Sequence, residues 1–136
     1  VTYDMLNVYW PTAAKNPAAT HAEARYSNWY NNVGKAVVSR TMKGVEEVVL
    51  RDDFVDQVKE LKSKPGKPIV MFGSPSFSGQ LMEQDLIDVY WIFVNPVLFG
   101  EGIPWFNKLA RIRKLKIAET RKFINGEIAL KYHLTK

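Results

Sequence analysis

The stretch KPIVMFGSPSFSGQLMEQDLIDVYWIFVNPVLFGEG (residues 67–102) indicates the fold more strongly than any other part of the chain. It begins with an apolar run that predicts a buried strand over residues 67–72, and at Gly73 it passes into a small polar turn. A helical pattern, SFSGQLMEQ, follows at once, and then a second long apolar strand that ends near Pro96. Such a junction is either a tight connection or a place where backbone N–H groups bind phosphate.

The other segments alternate between helical and strand patterns. Three have the apolar spacing of a helix: residues 1–10 before Pro11, 23–34 closed by Gly34, and 52–66. Four have strand patterns: 35–41, 46–50, 114–123 and 127–134. The last two are joined by Asn125–Gly126, which predicts a two-residue hairpin turn. In the helix of residues 52–66, Phe54, Val58 and Leu61 are predicted to face the core. This order predicts an α/β domain on a mixed sheet, parallel in the middle and antiparallel at one end.

The composition excludes several classes of protein. The chain has 136 residues, enough for one domain with a hydrophobic core, and 46% hydrophobic and 24% charged residues are typical of a globular protein. No apolar run is long enough to cross a bilayer. The absence of cysteine excludes disulfides, thiolate metal sites and cysteine nucleophiles, and it fits the cytoplasmic location that we expect. The net charge of +5 favours anionic partners.

Residues for acid–base or metal chemistry are sparse. The two histidines, His21 and His133, are predicted in a loop and on the last strand, and no metal-ligand spacing is present. No GxSxG motif supports a hydrolase. The basic segment 108–116 could bind nucleic acid, but its charges alternate with apolar residues, as on the solvent face of a strand. We therefore expect no metal, no nucleic acid and no membrane as partners.

The turn after residues 67–72 is a candidate phosphate site. Gly73 would let the backbone approach a ligand closely, and the N–H groups of Ser76 and Phe77 would begin the helix. Three hydroxyls add hydrogen-bond donors: Ser74, Ser76 and Ser78. Taken alone, this sequence is better explained by an ordinary serine-capped turn, because one glycine is far from a complete glycine-rich motif.

A second candidate, Ser39–Arg40–Thr41, follows the apolar residues of another strand. An arginine between two hydroxyls suits a phosphate monoester, because its planar guanidinium can bond two oxygens at once. Alone, a solvated arginine is the simpler explanation. Two such sites at neighbouring strand ends favour a dinucleotide with a pyrophosphate and a separate ribose phosphate, as in NADP.

Several blocks of the sequence together resemble one family. They are VVSRT (37–41), ELKSKPGKPIVMFGSPSFSGQLMEQDLIDVYWIFVNPVLFGEGIPWF (60–106) and LKIAETRKFINGEIALKYHL (115–134). In this order they resemble the dihydrofolate reductase-like family, in the branch of the C-terminal reductase domain of the riboflavin-biosynthesis deaminase/reductase. The resemblance extends over nearly the whole chain from Lys35 onward.

The resemblance implies a three-layer fold with a mixed, mostly parallel central sheet and a C-terminal antiparallel hairpin, in one domain over residues 1–136. It also implies an NADPH-dependent reductase of a pterin-like or pyrimidine-derived substrate, as in dihydrofolate reductase or 5-amino-6-(5-phosphoribosylamino)uracil reductase. The implied cofactor-binding residues are Thr2, Ser39, Arg40, Thr41, Gly73, Ser74, Pro75, Ser76, Phe77 and Ser78. Met5 and Leu6 would line the substrate side, and no catalytic residue is identified.

Two features depart from the family pattern. Many relatives have two glycines where this chain has Gly73–Ser74, and the first strand of the family has no counterpart, so we expect the chain as given to lack it. A non-catalytic nucleotide-binding or assembly module of the same fold is therefore the alternative. The apolar segment 89–94 and the aromatic pair Trp105–Phe106 lead us to expect a homodimer, as is common among relatives.

Overall fold

The computed structural model of the chain describes residues 2–106 and 109–135. These residues form two compact units, one extending to Gly73 and the other beginning at Ser74. Each unit contains helical structure and a sheet of its own. Among the described residues, none of the helices is both long and apolar enough to cross a bilayer.

The first unit contains three helices and a parallel pair of short strands. The helices are α1 (Thr2–Ala13), α2 (His21–Asn32) and α3 (Phe54–Ser63), and the strands are β1 (Ala36–Val38) and β2 (Val48–Leu50). The register pairs Val38 with Leu50. Because the strands are parallel, the residues that follow them, Ser39 and Arg51, leave the sheet at the same edge.

Helix α1 continues through Pro11 to Ala13, so the predicted end at Pro11 was wrong. The end of this helix is held by Ser27 of α2, which is fully buried. The Ser27 hydroxyl donates to the Trp10 carbonyl over 2.7 Å and accepts from the Ala14 N–H over 3.1 Å. A proline inside a helix removes one backbone hydrogen bond, and these two bonds from a neighbouring helix stabilise the turn that contains it.

Helix α2 begins with a capping box that the sequence analysis missed. Thr20 accepts from the Glu23 N–H over 3.2 Å, and Glu23 accepts from the Thr20 N–H over 2.8 Å. His21 is therefore the first helical residue and is not in a loop. The cap at the other end is Val33, in extended backbone, and not the predicted Gly34.

The strand predicted over residues 67–72 does not form, and this is the largest correction to the predicted fold. Residues 64–74 contain neither helix nor strand, and Ile69 and Val70 are each 59% exposed. Apolar residues predict a strand only where a neighbouring strand can pair with them, and among the described residues of this unit only β1 and β2 form a sheet. The prediction for Leu61 was also wrong, since it is exposed, whereas Phe54 is buried as expected.

The second unit contains one helix and an antiparallel sheet. The helix is α4 (Pro75–Glu83), and the strands are β3 (Val89–Val94), β4 (Leu115–Lys122) and β5 (Ile128–Leu134) in the order β3-β5-β4. The register pairs Val89 with His133 and Val94 with Ile128, and a β-bulge interrupts the pairing of β4 with β5. The buried residues of this unit include Leu81, Met82, Tyr90 and Ala129.

The predicted hairpin is confirmed, but its turn is longer than two residues. The Phe123 N–H donates to the Glu127 carbonyl over 2.9 Å, and the Gly126 N–H donates to the Phe123 carbonyl over 3.0 Å. A two-residue type I′ turn requires a positive φ at both Asn125 and Gly126. Gly126 has a φ of +86°, but the φ of Asn125 is not positive. The connection is therefore a three-residue turn that ends with glycine in the left-handed region.

The predicted α/β class is confirmed, but the parallel part is smaller than expected. Only β1 and β2 pair in parallel among the described strands, while β5 pairs antiparallel with both of its neighbours. The parallel part is small because the segment 67–72, which would have extended it, is not a strand.

Candidate functional site

In the first unit, the residues after β1 form a tight turn around the Ser39 side chain. The Ser39 N–H donates to the Leu50 carbonyl over 3.1 Å, which continues the pairing of the strands. The Ser39 hydroxyl oxygen accepts from the N–H groups of Thr41 and Met42 over 3.3 and 3.1 Å. This geometry fixes the backbone on both sides of Arg40.

Arg51 stabilises the same turn, and the sequence analysis missed it. Its guanidinium donates to the Ser39 carbonyl over 2.6 Å and to the Met42 carbonyl over 2.7 Å. Arg51 directly follows the apolar residues of β2, just as Ser39 follows β1, and this shared position was the signal in the sequence. The cation holds backbone in place, so we class Arg51 as a positioning residue.

The Arg40 side chain extends from this turn into solvent. Its Nε donates to the Asp52 carboxylate over 2.7 Å, and the two side chains are 86% and 78% exposed. An exposed pair of this kind contributes about 0–1 kcal/mol to stability, so little free energy holds the guanidinium in place. A guanidinium has five N–H donors, and the observed bond uses one of them. The residue is thus suited to bind a phosphate group from solvent.

Thr2 and Gly73, two predicted site residues far apart in sequence, lie next to each other. A methyl group built on Gly73 would lie 2.9 Å from the Thr2 hydroxyl oxygen, and Gly73 has a φ of +59°. Both the contact and the backbone conformation therefore require glycine at this position. The edge contact between the rings of Phe72 and Tyr26, with centroids 6.4 Å apart, holds the preceding residue against α2.

The first turn of α1 is also linked to the loop before β2. The Tyr3 hydroxyl donates to the Glu47 carboxylate over 2.7 Å. This hydrogen bond is the main reason why the pKa of Glu47 lies below its ordinary value and the pKa of Tyr3 lies above its own. The bond stabilises the position of the helix start beside Gly73.

In the second unit, Ser74 is the cap residue before α4 but does not provide the usual side-chain cap. Ser74 has the extended backbone of a cap residue, but within the described part of the chain its side chain makes no capping bond. Its hydroxyl oxygen lies 3.0 Å from that of Ser76, and Pro75 occupies the first helical position. Because the Ser74 side chain does not cap the helix, the N–H of Ser76 in the first helical turn is available to a ligand.

Ser78 and Phe77 have different surroundings from the two outer serines. Ser78 is buried, and its hydroxyl donates to the Pro75 carbonyl over 3.2 Å. Phe77 is half-buried. The cofactor roles of all ten residues named from the sequence stay predictions.

An open groove of about 480 Å³ runs along α4. Its lining consists of one face of the helix and a short segment opposite: Pro75, Ser76, Gly79, Gln80, Glu83, Ile103 and Pro104. Two of the residues predicted to bind the cofactor, Pro75 and Ser76, lie at one end of the groove.

The opposite end of α4 is fixed by charged side chains. Arg113, with its side chain only 7% exposed, donates to the Asp85 carboxylate over 2.8 Å and to the Glu83 carbonyl over 2.9 Å. Arg113 is the main reason why the pKa of Asp85 lies below its ordinary value. In the described residues, no three side chains able to bind a metal ion lie together.

Comparison with known proteins shows the family of this chain. The α/β fold is shared with solved structures, and the sequence matches one family model. The family model described as the RibD C-terminal domain matches residues 1–129, and the chain belongs to that family. The resemblance found from the sequence is thereby confirmed.

Two relatives are proteins of Bacillus subtilis (strain 168). The uncharacterized protein YyaP is 32% identical over 101 residues, which are 73% of this chain and 54% of YyaP. The uncharacterized protein YwjB is 36% identical over 63 residues, which are 46% of this chain and 36% of YwjB. The chain therefore matches about half the length of one relative and about a third of the other.

Two solved structures have a similar fold. A protein of Shewanella sp. PV-4 described as a riboflavin biosynthesis protein has a TM-score of 0.65 and 17% identity, covering 93% of this chain and 87% of its own. A pyrimidine reductase-like protein of Corynebacterium diphtheriae has a TM-score of 0.56 and 19% identity, covering 88% of this chain and 48% of its own. At these identities the similarity concerns the fold alone.

Proposed function

We propose that this chain is an NADPH-dependent reductase domain that acts on a pterin-like or pyrimidine-derived substrate. The observation that carries the proposal is the start of α4, where Ser74 has the backbone of a cap but gives no side-chain cap to the amide of Ser76. In a member of the RibD C-terminal domain family, such a helix start is suited to the pyrophosphate of a dinucleotide.

The turn of Ser39–Arg40–Thr41 would receive the 2′-phosphate. The Arg40 guanidinium is exposed, carries a permanent charge and has N–H donors beyond the one that bonds Asp52. The backbone around it is fixed by Ser39 and Arg51, so little conformational entropy would be lost when phosphate binds. NADH has no 2′-phosphate, and this turn would therefore give the preference for NADPH.

In the second unit, the start of α4 would bind the pyrophosphate, and its outer hydroxyls belong to Ser74 and Ser76. In the first unit, the backbone of Gly73 lies close to the Thr2 hydroxyl at the start of α1, and both residues keep the cofactor role expected from the resemblance. Pro75 occupies the first helical position and has no N–H of its own. The backbone N–H donors for a phosphate at this helix start would therefore come from the neighbouring residues. Phe77 and the buried Ser78 would support this turn from the inside.

The hydride chemistry belongs to the cofactor, whose reduced nicotinamide supplies the hydride when it is bound. The protein need only bind and orient the cofactor and exclude water, and these tasks need hydrogen-bond donors and cations more than a catalytic acid or base. The donor groups described above match that requirement.

The test is the oxidation of NADPH by the purified protein, followed by absorbance, with pterin and pyrimidine substrates offered one at a time. We expect oxidation that depends on one class of substrate. Tight NADPH binding without oxidation of any substrate would favour the alternative, a non-catalytic nucleotide-binding or assembly module. Absence of NADPH binding would contradict both.

We also propose a homodimer. Strand β3 is an edge strand, and its Trp91 and Phe93 rings stack with centroids 6.4 Å apart while remaining 38% and 55% exposed. An exposed apolar edge strand is a surface that proteins usually cover. Light scattering coupled to size-exclusion chromatography should give twice the mass of the chain, and a monomer at all concentrations would refute the proposal.

A further inference from the structure

The second unit contains an open cavity that shares no lining residue with the groove along α4. Its volume of about 470 Å³ is within the range of small-molecule binding sites. Of the described residues that line it, the polar ones are Tyr90, Arg111 and Arg113. The rest of the lining is apolar: Phe106, Leu109, Ala110, Ile112 and Leu115. We call it the Tyr90 cavity.

The wall of the Tyr90 cavity that leads into β4 is fixed by the residues at the end of α4. The Ala110 N–H donates to the Glu83 carboxylate over 2.9 Å. Arg113 donates to the Asp85 carboxylate over 2.8 Å and to the Glu83 carbonyl over 2.9 Å. It also donates to the Arg111 carbonyl over 3.1 Å. Because these bonds hold the wall in place, a ligand could enter without a costly rearrangement of the backbone.

The Tyr90 hydroxyl is a polar group without a partner. Tyr90 lies on β3 and is only 5% exposed. Its ring contacts Trp105, with centroids 6.3 Å apart, but its hydroxyl makes no hydrogen bond with any residue that the structure describes. No fully buried side-chain oxygen in that part of the chain lacks a partner, so this hydroxyl is accessible, and the cavity that Tyr90 lines is where it opens. Its hydrogen bond is therefore left for water or a ligand.

The Tyr90 hydroxyl is a neutral donor. Burial is the main reason why the pKa of Tyr90 lies above its ordinary value. The Arg113 guanidinium opposes this rise in the pKa, and the Asp85 and Asp88 carboxylates add to it. A protonated phenol donates one hydrogen bond and matches the carbonyl oxygen of a ligand.

The charges beside the Tyr90 cavity compensate each other. Arg111 and Arg113 both pair with the Asp85 carboxylate, and Arg113 also lies 3.5 Å from the Glu83 carboxylate. A ligand anion would have to leave water while these cations already have acidic partners, which is unfavourable. The cavity is therefore better suited to an uncharged molecule.

The aromatic part of the lining favours a flat ligand. The Phe106 ring stacks on Trp105, with centroids 4.7 Å apart and an angle of 26° between the planes. Phe106 is nevertheless 51% exposed, so part of its ring is free to pack on another aromatic ring.

From this geometry we infer that the Tyr90 cavity is a binding site for a small uncharged aromatic compound that carries a carbonyl oxygen, to which the Tyr90 hydroxyl donates. The site uses none of the residues assigned to the cofactor, and the inference does not rest on the proposed function.

The test is a titration of the full chain, followed by the backbone amide signals in NMR spectra, with three probes of similar shape. Acetophenone has the ring and the carbonyl oxygen, ethylbenzene lacks the oxygen, and benzoate carries a charge. We expect saturable binding of acetophenone, with the largest shift changes at the amides of Ala110 and Ile112. Ethylbenzene should bind about two- to tenfold more weakly, because it cannot accept the hydrogen bond from Tyr90, and benzoate more weakly than acetophenone.

Two variants and a control assign the binding to this cavity. Tyr90→Phe should reduce the affinity for acetophenone to that for ethylbenzene and leave the affinity for ethylbenzene unchanged. Tyr132→Phe is the matched control, because Tyr132 pairs with Tyr90 in the register but does not line the cavity. Ala110→Trp should fill the cavity and abolish binding of all three probes, and thermal unfolding would show that each variant folds.

Three results would overturn the inference. The first is a parent protein that does not bind acetophenone, and the second is an acetophenone affinity that Tyr90→Phe leaves unchanged. The third is a parent that is a dimer by light scattering and an Ala110→Trp variant that is a monomer, because a second copy of the chain would then cover the cavity. None of these results depends on NADPH binding, so the proposed function stands or fails separately.

Discussion

Replacement of Arg40 by alanine should separate cofactor binding from folding. The Arg40 side chain is 86% exposed and its ion pair with Asp52 is exposed as well, so the loss of this side chain should change the free energy of unfolding by less than about 1 kcal/mol. A hydrogen bond from a charged group contributes about 1.5–3 kcal/mol, and we assign one such contribution to the 2′-phosphate. Arg40→Ala should therefore weaken NADPH binding about 10- to 150-fold.

The assay is a calorimetric titration of parent and variant with NADPH and NADH at one salt concentration. NADH binding should be the same in both proteins, because NADH lacks the 2′-phosphate. Lys59→Ala is the matched control, since it removes another exposed cation of the same unit that is paired with a carboxylate. Asp52→Asn should leave NADPH affinity equal or higher, because it frees the guanidinium. If Arg40→Ala bound NADPH as tightly as the parent, the role assigned to the turn of residues 39–41 would be refuted.

Three further predictions concern stability. Gly73→Ala should destabilise the fold by about 1–2 kcal/mol or more in urea unfolding, because its φ is positive and the added methyl group meets a side chain, whereas Gly34→Ala should be neutral; equal effects would contradict the strain argument. Ser27→Ala should cost about 1–3 kcal/mol in the same assay, because it leaves two backbone groups at the end of α1 without their partner; an unchanged midpoint would show that those groups find others. Because the pKa of Glu47 is lowered in the folded state, its contribution to the free energy of unfolding is complete above the ordinary pKa of 4.5 and is lost as the pH falls through the folded-state pKa. Because the pKa of Tyr3 is raised, its contribution to the same free energy is lost as the pH rises above the ordinary pKa of 10.0. Unfolding measured across pH should show both losses in the parent and smaller ones in Tyr3→Phe; identical profiles would exclude the pair as their source.

The sequence allowed prediction of the elements whose pattern is local. The helix before Pro65–Gly66 and the hairpin around Gly126 depend on apolar periodicity and turn residues, and both are present. Local sequence patterns were not sufficient to predict whether residues 67–72 form a strand. Its apolar residues predict burial, but a strand also needs a paired neighbour, which depends on distant parts of the chain.

In the candidate site too, some residues could be found from local sequence patterns and others only from the tertiary structure. Arg40 and Gly73 were found from the sequence because an arginine between hydroxyls and a glycine after an apolar run are local signals. The contact of Gly73 with Thr2 and the role of Arg51 required the tertiary structure, since each joins residues that are distant in sequence or act through backbone groups.

The affinity of the unchanged protein for NADPH and for NADH, determined side by side, tests whether the turn of residues 39–41 binds a 2′-phosphate. We expect saturable binding of both, with NADPH bound at least about tenfold more tightly, because one charged hydrogen bond to the 2′-phosphate distinguishes them. Equal affinity for the two cofactors, or no binding of either, would contradict this expectation.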